Sequence, residues 1–400
     1  MSVDLKLVEA KQMIAPPSQS FSMWVWIRKN LFNNWYNMLL TLLAGSLLVY
    51  ISYATLTWVF TEAQWAVIGD NYKLFMVGQY PILALWRIWS ALTMMTFMFG
   101  ISAGTFKGTM LRLCYILSTI YLVHIIAPFT ENTSKIWLTA QLVMLVISYF
   151  IGSKIPYAKR FNIVGWVISI PIILFFIHGF GILPVIRTNV WNGLMLTLML
   201  AAVAIILSFP IGVLLALGRT SKLSVIKYFC IGYIELIRGI PLITILFMAQ
   251  ILFPLFLPTG LTIDNLLRVM LGATFFTAAY MAENVRGGLQ SIPNGQYEAA
   301  KTIGLNPVQT TAFVILPQAL RAIIPTIVGQ SISMFKDTSL VAIVGLVDLL
   351  GIAQSVKSNP EFLGRHMEVY VFIAFVYWVI AYSMSYSSRR IEKSLGVGER

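Results

Sequence analysis

In this sequence of 400 residues, a few ionisable side chains interrupt otherwise apolar stretches: Glu235 and Arg238, Glu283 and Arg286, and the adjacent Lys336 and Asp337. A charge in such a run is costly unless it is paired or faces an aqueous cavity. Residues of this kind therefore mark either the path of a polar solute or ion pairs that hold helices together. Glu283 and Arg286 stand three apart and share one helical face, which allows an intrahelical pair or an approach to a common cavity. Lys336 and Asp337 offer opposite charges side by side near the end of an apolar stretch, where they either neutralise neighbours in the bundle or face an aqueous cavity. Arg238 precedes Gly239-Ile240-Pro241 at the start of an apolar run, where its guanidinium can extend to headgroups or join the same pathway.

Patterns for other chemistry are lacking. His124, His178 and His366 do not cluster with carboxylates at catalytic or ligand spacing. Cys114 and Cys230 sit in or beside apolar segments, so neither a disulfide framework nor a zinc site is available. No G-x-x-x-x-G-K-[ST] phosphate loop occurs, so this chain is not expected to hydrolyse ATP. Expected is a non-enzyme with no catalytic residues, no metal and no cofactor of its own.

The elements that must carry these charges are membrane spans. Hydrophobic residues make up 58% of the chain and charged residues 11%, against roughly 45–50% and about 25% in a soluble protein. Charge-free runs such as 38–60, 190–218 and 369–388 match the length of about 20 apolar residues that crosses a hydrocarbon core. The predicted fold class is an all-α polytopic membrane bundle of about ten spans. They fall near 38–60, 85–102, 113–129, 136–153, 161–181, 190–218, 239–258, 268–288, 318–340 and 369–388.

The excess of Lys and Arg, 28 against 15 Asp and Glu, reads as membrane orientation and not as nucleic-acid binding. With the N-terminus inside, 19 of these cations fall on inner segments and 7 on outer ones, which predicts cytoplasmic termini. The polar leader before the first apolar run predicts that this run stays as an anchor and is not a cleaved signal. The chain divides into a cytoplasmic tail at 1–30, N-terminal spans at 31–188, a region at 189–390 that concentrates the charges, and a tail at 391–400.

Between the eighth and ninth expected spans lies Gly295-Gln296-Tyr297-Glu298-Ala299-Ala300-Lys301-Thr302-Ile303-Gly304, followed by Leu305-Asn306-Pro307 and later by Leu316-Pro317-Gln318. Residues 297–303 favour a short helix, Gly304 suits a left-handed C-terminal cap, Asn306 can cap a second helix, and Pro307 is tolerated in its first turn. Two short helices should meet at a glycine corner. Glu298 offers a charge to a partner, Ala299 and Ala300 permit close approach, and Val308, Ala312 and Ile315 form an apolar stripe. A loop resting on lipid headgroups is the plainer alternative.

This spacing resembles the integral permeases of bacterial ABC importers, whose coupling loop follows Glu-Ala-Ala, three residues, Gly, nine residues, Ile, one residue, Leu-Pro. Glu298-Ala299-Ala300, Gly304 and Leu316-Pro317 match it, and Val314 stands where Ile is usual. Stretches beginning at Gly193, Glu235, Tyr280 and Phe335 resemble the polar amino-acid branch in its order, over about residues 190–390. The extra N-terminal spans resemble the larger membrane subunit of general L-amino-acid importers of Gram-negative bacteria.

The resemblance implies a five-helix permease core in the bacterial inner membrane that works by alternating access. Glu298, Ala299, Ala300, Gly304, Leu316 and Pro317 would couple it to a dimer of ATPase subunits that use ATP and Mg. It also implies a second, homologous permease subunit in a heterodimer and a periplasmic amino-acid-binding protein. Glu283, Arg286, Lys336, Asp337 and Arg238 are the candidates for the substrate pathway or for structural pairing. An ion-gradient-driven secondary transporter and a non-transporting membrane assembly subunit remain as rivals.

Overall fold

The computed structural model describes residues 22–155 and 157–395, so most of the expected N-terminal tail and the last residues of the C-terminal one lie outside the described residues. The chain divides into two compact units, 1–64 and 65–400. In the first, α1 (Met23–Asn30) carries Arg28 and Lys29 in its last turn. The 23-residue α2 (Trp35–Thr57) contains no charged residue and runs on into a π-helical turn, Trp58–Glu62. A helix that is apolar all round at this length is a membrane span.

The second unit opens with two short helices, α3 (Ala66–Asp70) and α4 (Tyr72–Val77). Four long helices follow: α5 (Leu85–Phe106), α6 (Gly108–Ile126), α7 (Asn132–Lys154) and α8 (Ala158–His178). α5 packs on the other three. Its contact with α7 is made through small residues: a Cβ added at Gly104 would lie 2.3 Å from the Tyr149 carbonyl oxygen, and one at Gly152 would lie 2.4 Å from that of Ile101. Gly100-x-x-x-Gly104 against Ser148-x-x-x-Gly152 lets the backbones close, which is how helices associate where the hydrophobic effect is absent.

The rest of the second unit comprises α9 (Gly193–Arg219), α10 (Ser224–Arg238), α11 (Leu242–Phe247) and α12 (Asn265–Gln290). After these come α13 (Asn294–Thr302), the one-turn α14 (Pro307–Gln309), α15 (Leu316–Ala322), α16 (Ile324–Asp337), α17 (Leu349–Lys357) and α18 (His366–Leu395). The most extensive helix contact in the molecule is α9 on α12.

Among the described residues, eight helices are long and apolar enough to cross a membrane, and a ninth crossing results if α10 and the segment from α11 to Phe256 count as one broken span. This corrects the simple span expected near 239–258. The two parts are bent by 106°, because Pro241 lacks an N–H and disfavours helical backbone in the residue before it. The 15 residues of Leu242–Phe256 rise roughly 22 Å, short of a hydrocarbon core. α12, also expected as a span, has the length but less apolarity. Buried along most of its course, it packs Ala, Gly and Thr against other helices in place of lipid-facing Leu and Ile.

At the end of the core where α9 begins, Gly193 takes φ +67°, and any Cβ there would sit 2.6 Å from the Phe75 carbonyl oxygen of α4. Its N–H donates to the Val347 carbonyl at 2.9 Å. The Leu349 N–H donates to Thr197 Oγ1 at 3.1 Å. Asp348, 0% exposed, caps α17 by accepting from the Gly351 N–H at 2.9 Å, and it receives the Tyr377 hydroxyl at 3.3 Å.

Candidate functional site

The candidate site starts from a rigid corner. α13 ends in a pair of reverse bonds: the Gly304 N–H donates to the Lys301 carbonyl at 3.0 Å and the Leu305 N–H to the Ala300 carbonyl at 3.1 Å, with Gly304 at φ +82°. This is the Schellman arrangement that only a residue free to adopt left-handed backbone completes without strain. Asn306 then caps α14 in a reciprocal box with Gln309: Asn306 Oδ1 accepts from the Gln309 N–H at 2.9 Å, and Gln309 Oε1 accepts from the Asn306 N–H at 3.1 Å. Pro307 occupies the first turn. The expected pair of helices at a glycine corner is present.

A π-helical segment, Thr310–Ile315, joins α14 to α15. It accommodates an extra residue per turn and so shifts the register of everything after it. That corrects the expected apolar stripe. Val308 is 77% exposed and Ala312 is exposed, whereas Ile315 is 1% exposed and faces the core. Ile315, Ala319 and Ile323 pack in one cluster with Ala216 of α9, Ile234 of α10, and Ala282, Val285 and Leu289 of α12.

Of the two alanines in the motif, Ala300 is buried and Ala299 exposed, and Glu298 is exposed with no ion pair among the described residues. Leu316 is partly buried against the same cluster, while Pro317 is exposed. Gln318 ties the two arms of the elbow together, donating to Gln296 Oε1 at 3.1 Å and to the Val314 carbonyl at 2.8 Å.

Immediately behind the elbow, charges from three helices meet. Arg219 at the end of α9 lies 2.9 Å from Glu235 of α10 and 3.4 Å from Glu283 of α12. Arg238 at the end of α10 lies 3.7 Å from Glu283, and Arg286 pairs with the same carboxylate one turn along α12. The Arg238 guanidinium also stands over the Tyr280 ring, 5.7 Å from its centroid. Arg238 is therefore a corner residue in a bent helix pair, held toward Glu283. Glu283 is the hub, balancing guanidinium groups from α9, α10 and its own helix.

The structure does not bring Lys336 and Asp337 to this hub. α12 and α16 run antiparallel: Gly288 lies against Ile323, and the Thr277 hydroxyl contacts Met334 Sδ at 3.1 Å. Thr277 and Glu283 are separated by about 9 Å of helix rise, and Asp337 lies beyond Met334 in the opposite direction. Glu283 and Arg286 therefore stand apart from Lys336 and Asp337 along the length of the core. Lys336 is exposed, Asp337 is half-buried, and neither belongs to an ion pair among the described residues. Arg219 and Asp348 are the site and framework residues that inspection of the sequence passed over. Arg219 closes the apolar run of α9, and that position is its only local signal.

The family described as binding-protein-dependent transport system inner membrane component matches residues 208–397. The chain is 37% identical over 391 residues to the inner membrane amino-acid ABC transporter permease protein YhdY of Escherichia coli, covering 94% of this chain and 93% of that one. To the glutamate/glutamine/aspartate/asparagine transport system permease protein BztC of Rhodobacter capsulatus it is 34% identical over 428 residues, with 96% and 97% covered. The probable glutamine ABC transporter permease protein GlnP of Bacillus subtilis is 35% identical over 202 residues, half of this chain and 91% of the relative.

Proposed function

This chain belongs to the amino-acid ABC transporter permeases, inner membrane components of binding-protein-dependent transport systems, and from that premise we propose that α13 to α15 form the elbow through which a partner ATPase drives uptake of polar L-amino acids. Members of the family depend on a separate ATPase and on a substrate-binding protein. That membership disfavours an ion-gradient carrier and a non-transporting assembly subunit.

The observation that carries the elbow's role is its construction: capped at both arms, exposed at Glu298 and Ala299, and buried through Ile315 and Ala319 in a cluster shared by α9, α10 and α12. A push on a floppy loop would be absorbed by its torsions; a push on this elbow moves three core helices. When the ATPase pair closes on ATP and Mg, the elbow is displaced, and the guanidinium groups around Glu283 exchange partners as α9, α10 and α12 rock. Both nucleotide and metal are held by the partner. The solute passes in from a periplasmic binding protein, with Lys336 and Asp337 as candidate contacts for its carboxylate and ammonium.

A second, homologous permease chain completes a heterodimeric core, in keeping with a relative named as the permease protein of a transport system. The elbow face is cytoplasmic, as are both termini, a reading supported by the bias of Lys and Arg. The test is ATP-dependent uptake of glutamate and glutamine into proteoliposomes by the complete complex. Glu298→Lys and Gly304→Asp should each bring coupled uptake to background with the complex still assembled, and wild-type uptake by both overturns the elbow's role.

A further inference from the structure

At the ends of α5 and α7 and the starts of α6 and α8 lies a cleft of about 490 Å³, lined by Thr105, Lys107, Ser153, Tyr157, Lys159 and Arg160 together with backbone at Gly104 and Gly152. Three cations line it and no carboxylate does. None of the three is in an ion pair among the described residues. All three are exposed, so together they present a positive surface to an anionic partner.

Two features of the backbone point the same way. Lys107 and Tyr157, the N-caps of α6 and α8, are among the few non-glycine residues with positive φ, +49° and +60°. Neither N-cap side chain bonds the first turn; each N-cap carbonyl accepts the third-position N–H, that of Met110 at 3.1 Å and that of Arg160 at 2.9 Å, which leaves the first two N–H groups of each helix to other acceptors. The chain thus holds positive-φ backbone at two adjoining helix starts and satisfies their first turns only in part.

Depth identifies the anion. α5 and α7, 22 and 23 residues long, rise roughly 33–35 Å, so their ends reach the headgroup layer. α8 begins at the cleft, and α9 returns from its far end to Arg219 behind the elbow. Cleft and elbow therefore share one membrane face. We propose that the cleft is a binding site for the phosphate headgroup of an anionic phospholipid in the leaflet on the elbow's side, with Lys107, Lys159 and Arg160 as its ligands.

The complete complex, delipidated in mild detergent, is titrated with phosphatidylglycerol or phosphatidylcholine and read by native mass spectrometry. One phosphatidylglycerol should bind this chain ahead of all others, with no equivalent phosphatidylcholine. Each cation removed should weaken binding about fivefold, and Lys107→Ala/Lys159→Ala/Arg160→Ala together about a hundredfold. Lys154→Ala, at the same helix end but outside the cleft, should change nothing. If the triple variant does not assemble, Arg160→Gln alone carries the comparison. Equal binding of phosphatidylcholine, unchanged binding in the cleft variants, or displacement of the lipid by equimolar inorganic phosphate overturns the proposal, the last by making the site one for free phosphate.

Discussion

At the elbow end of the core, α9, α10 and α12 meet through Arg219, Glu235, Arg238, Glu283 and Arg286, whose side chains keep between 22% and 55% of their exposure. At the far end, the start of α9 meets the segment before α17 through backbone amides, Thr197 and the fully buried Asp348. Partly exposed ion pairs are each worth about 0–1 kcal/mol and re-form with other partners at little cost. A buried, satisfied network has no such substitute: breaking one bond strands a donor away from water. The contrast is that of a fixed pivot and a movable contact, with the movable one beside the elbow proposed to receive the ATPase's force.

The largest effect should come from breaking the pivot. Asp348→Ala removes the α17 cap and leaves the Gly351 N–H and Tyr377 hydroxyl without their acceptor, for a loss of about 2–4 kcal/mol. A lower unfolding midpoint of the purified complex should report it. Asp348→Asn keeps an acceptor at the cap and should stay within about 1 kcal/mol of the parent. If the alanine variant melts with the parent, the far end is no more fixed than the elbow end and the contrast fails.

Next in size is the hub of the movable contact. Glu283→Gln leaves the guanidinium groups of Arg219, Arg238 and Arg286 facing one another around a neutral amide. ATP-coupled uptake should fall about tenfold or more, while the unfolding midpoint moves little because each lost pair is partly exposed. A large fall in stability with unchanged uptake per assembled complex would reverse the roles assigned to the two ends.

These regions differ also in how much of them the sequence discloses. The elbow is legible because its geometry is local: Gly304, Asn306 and Pro307 act on neighbours within a few positions. The hub is not, since Arg219 and Glu283 meet across 64 positions and nothing in either segment names the other. Most spans announce themselves by apolarity; α12 is legible as a span near 268–288 but is less apolar than the rest, because a helix surrounded by helices needs small residues more than greasy ones. The π-helical segment before α15 is equally silent in the sequence, and it decides that Ile315 turns inward. Asp348 looks like an ordinary loop carboxylate until Gly351 and Tyr377 are seen to enclose it.

The smallest effect sharpens the contrast from inside the movable contact itself. Among the described residues the ion pair of Glu235 is with Arg219, at 2.9 Å, and its side chain is 55% exposed, so water and salt already screen most of the attraction. Glu235→Gln should cost less than about 1 kcal/mol, and it leaves Arg219 its second partner, Glu283. Uptake should stay within about twofold of the parent, and raising the ionic strength should shrink even that difference. An effect as large as that of Glu283→Gln would mean that the pair between α9 and α10, and not the carboxylate of α12, holds the rocking helices together, and the hub would have to be moved to Arg219.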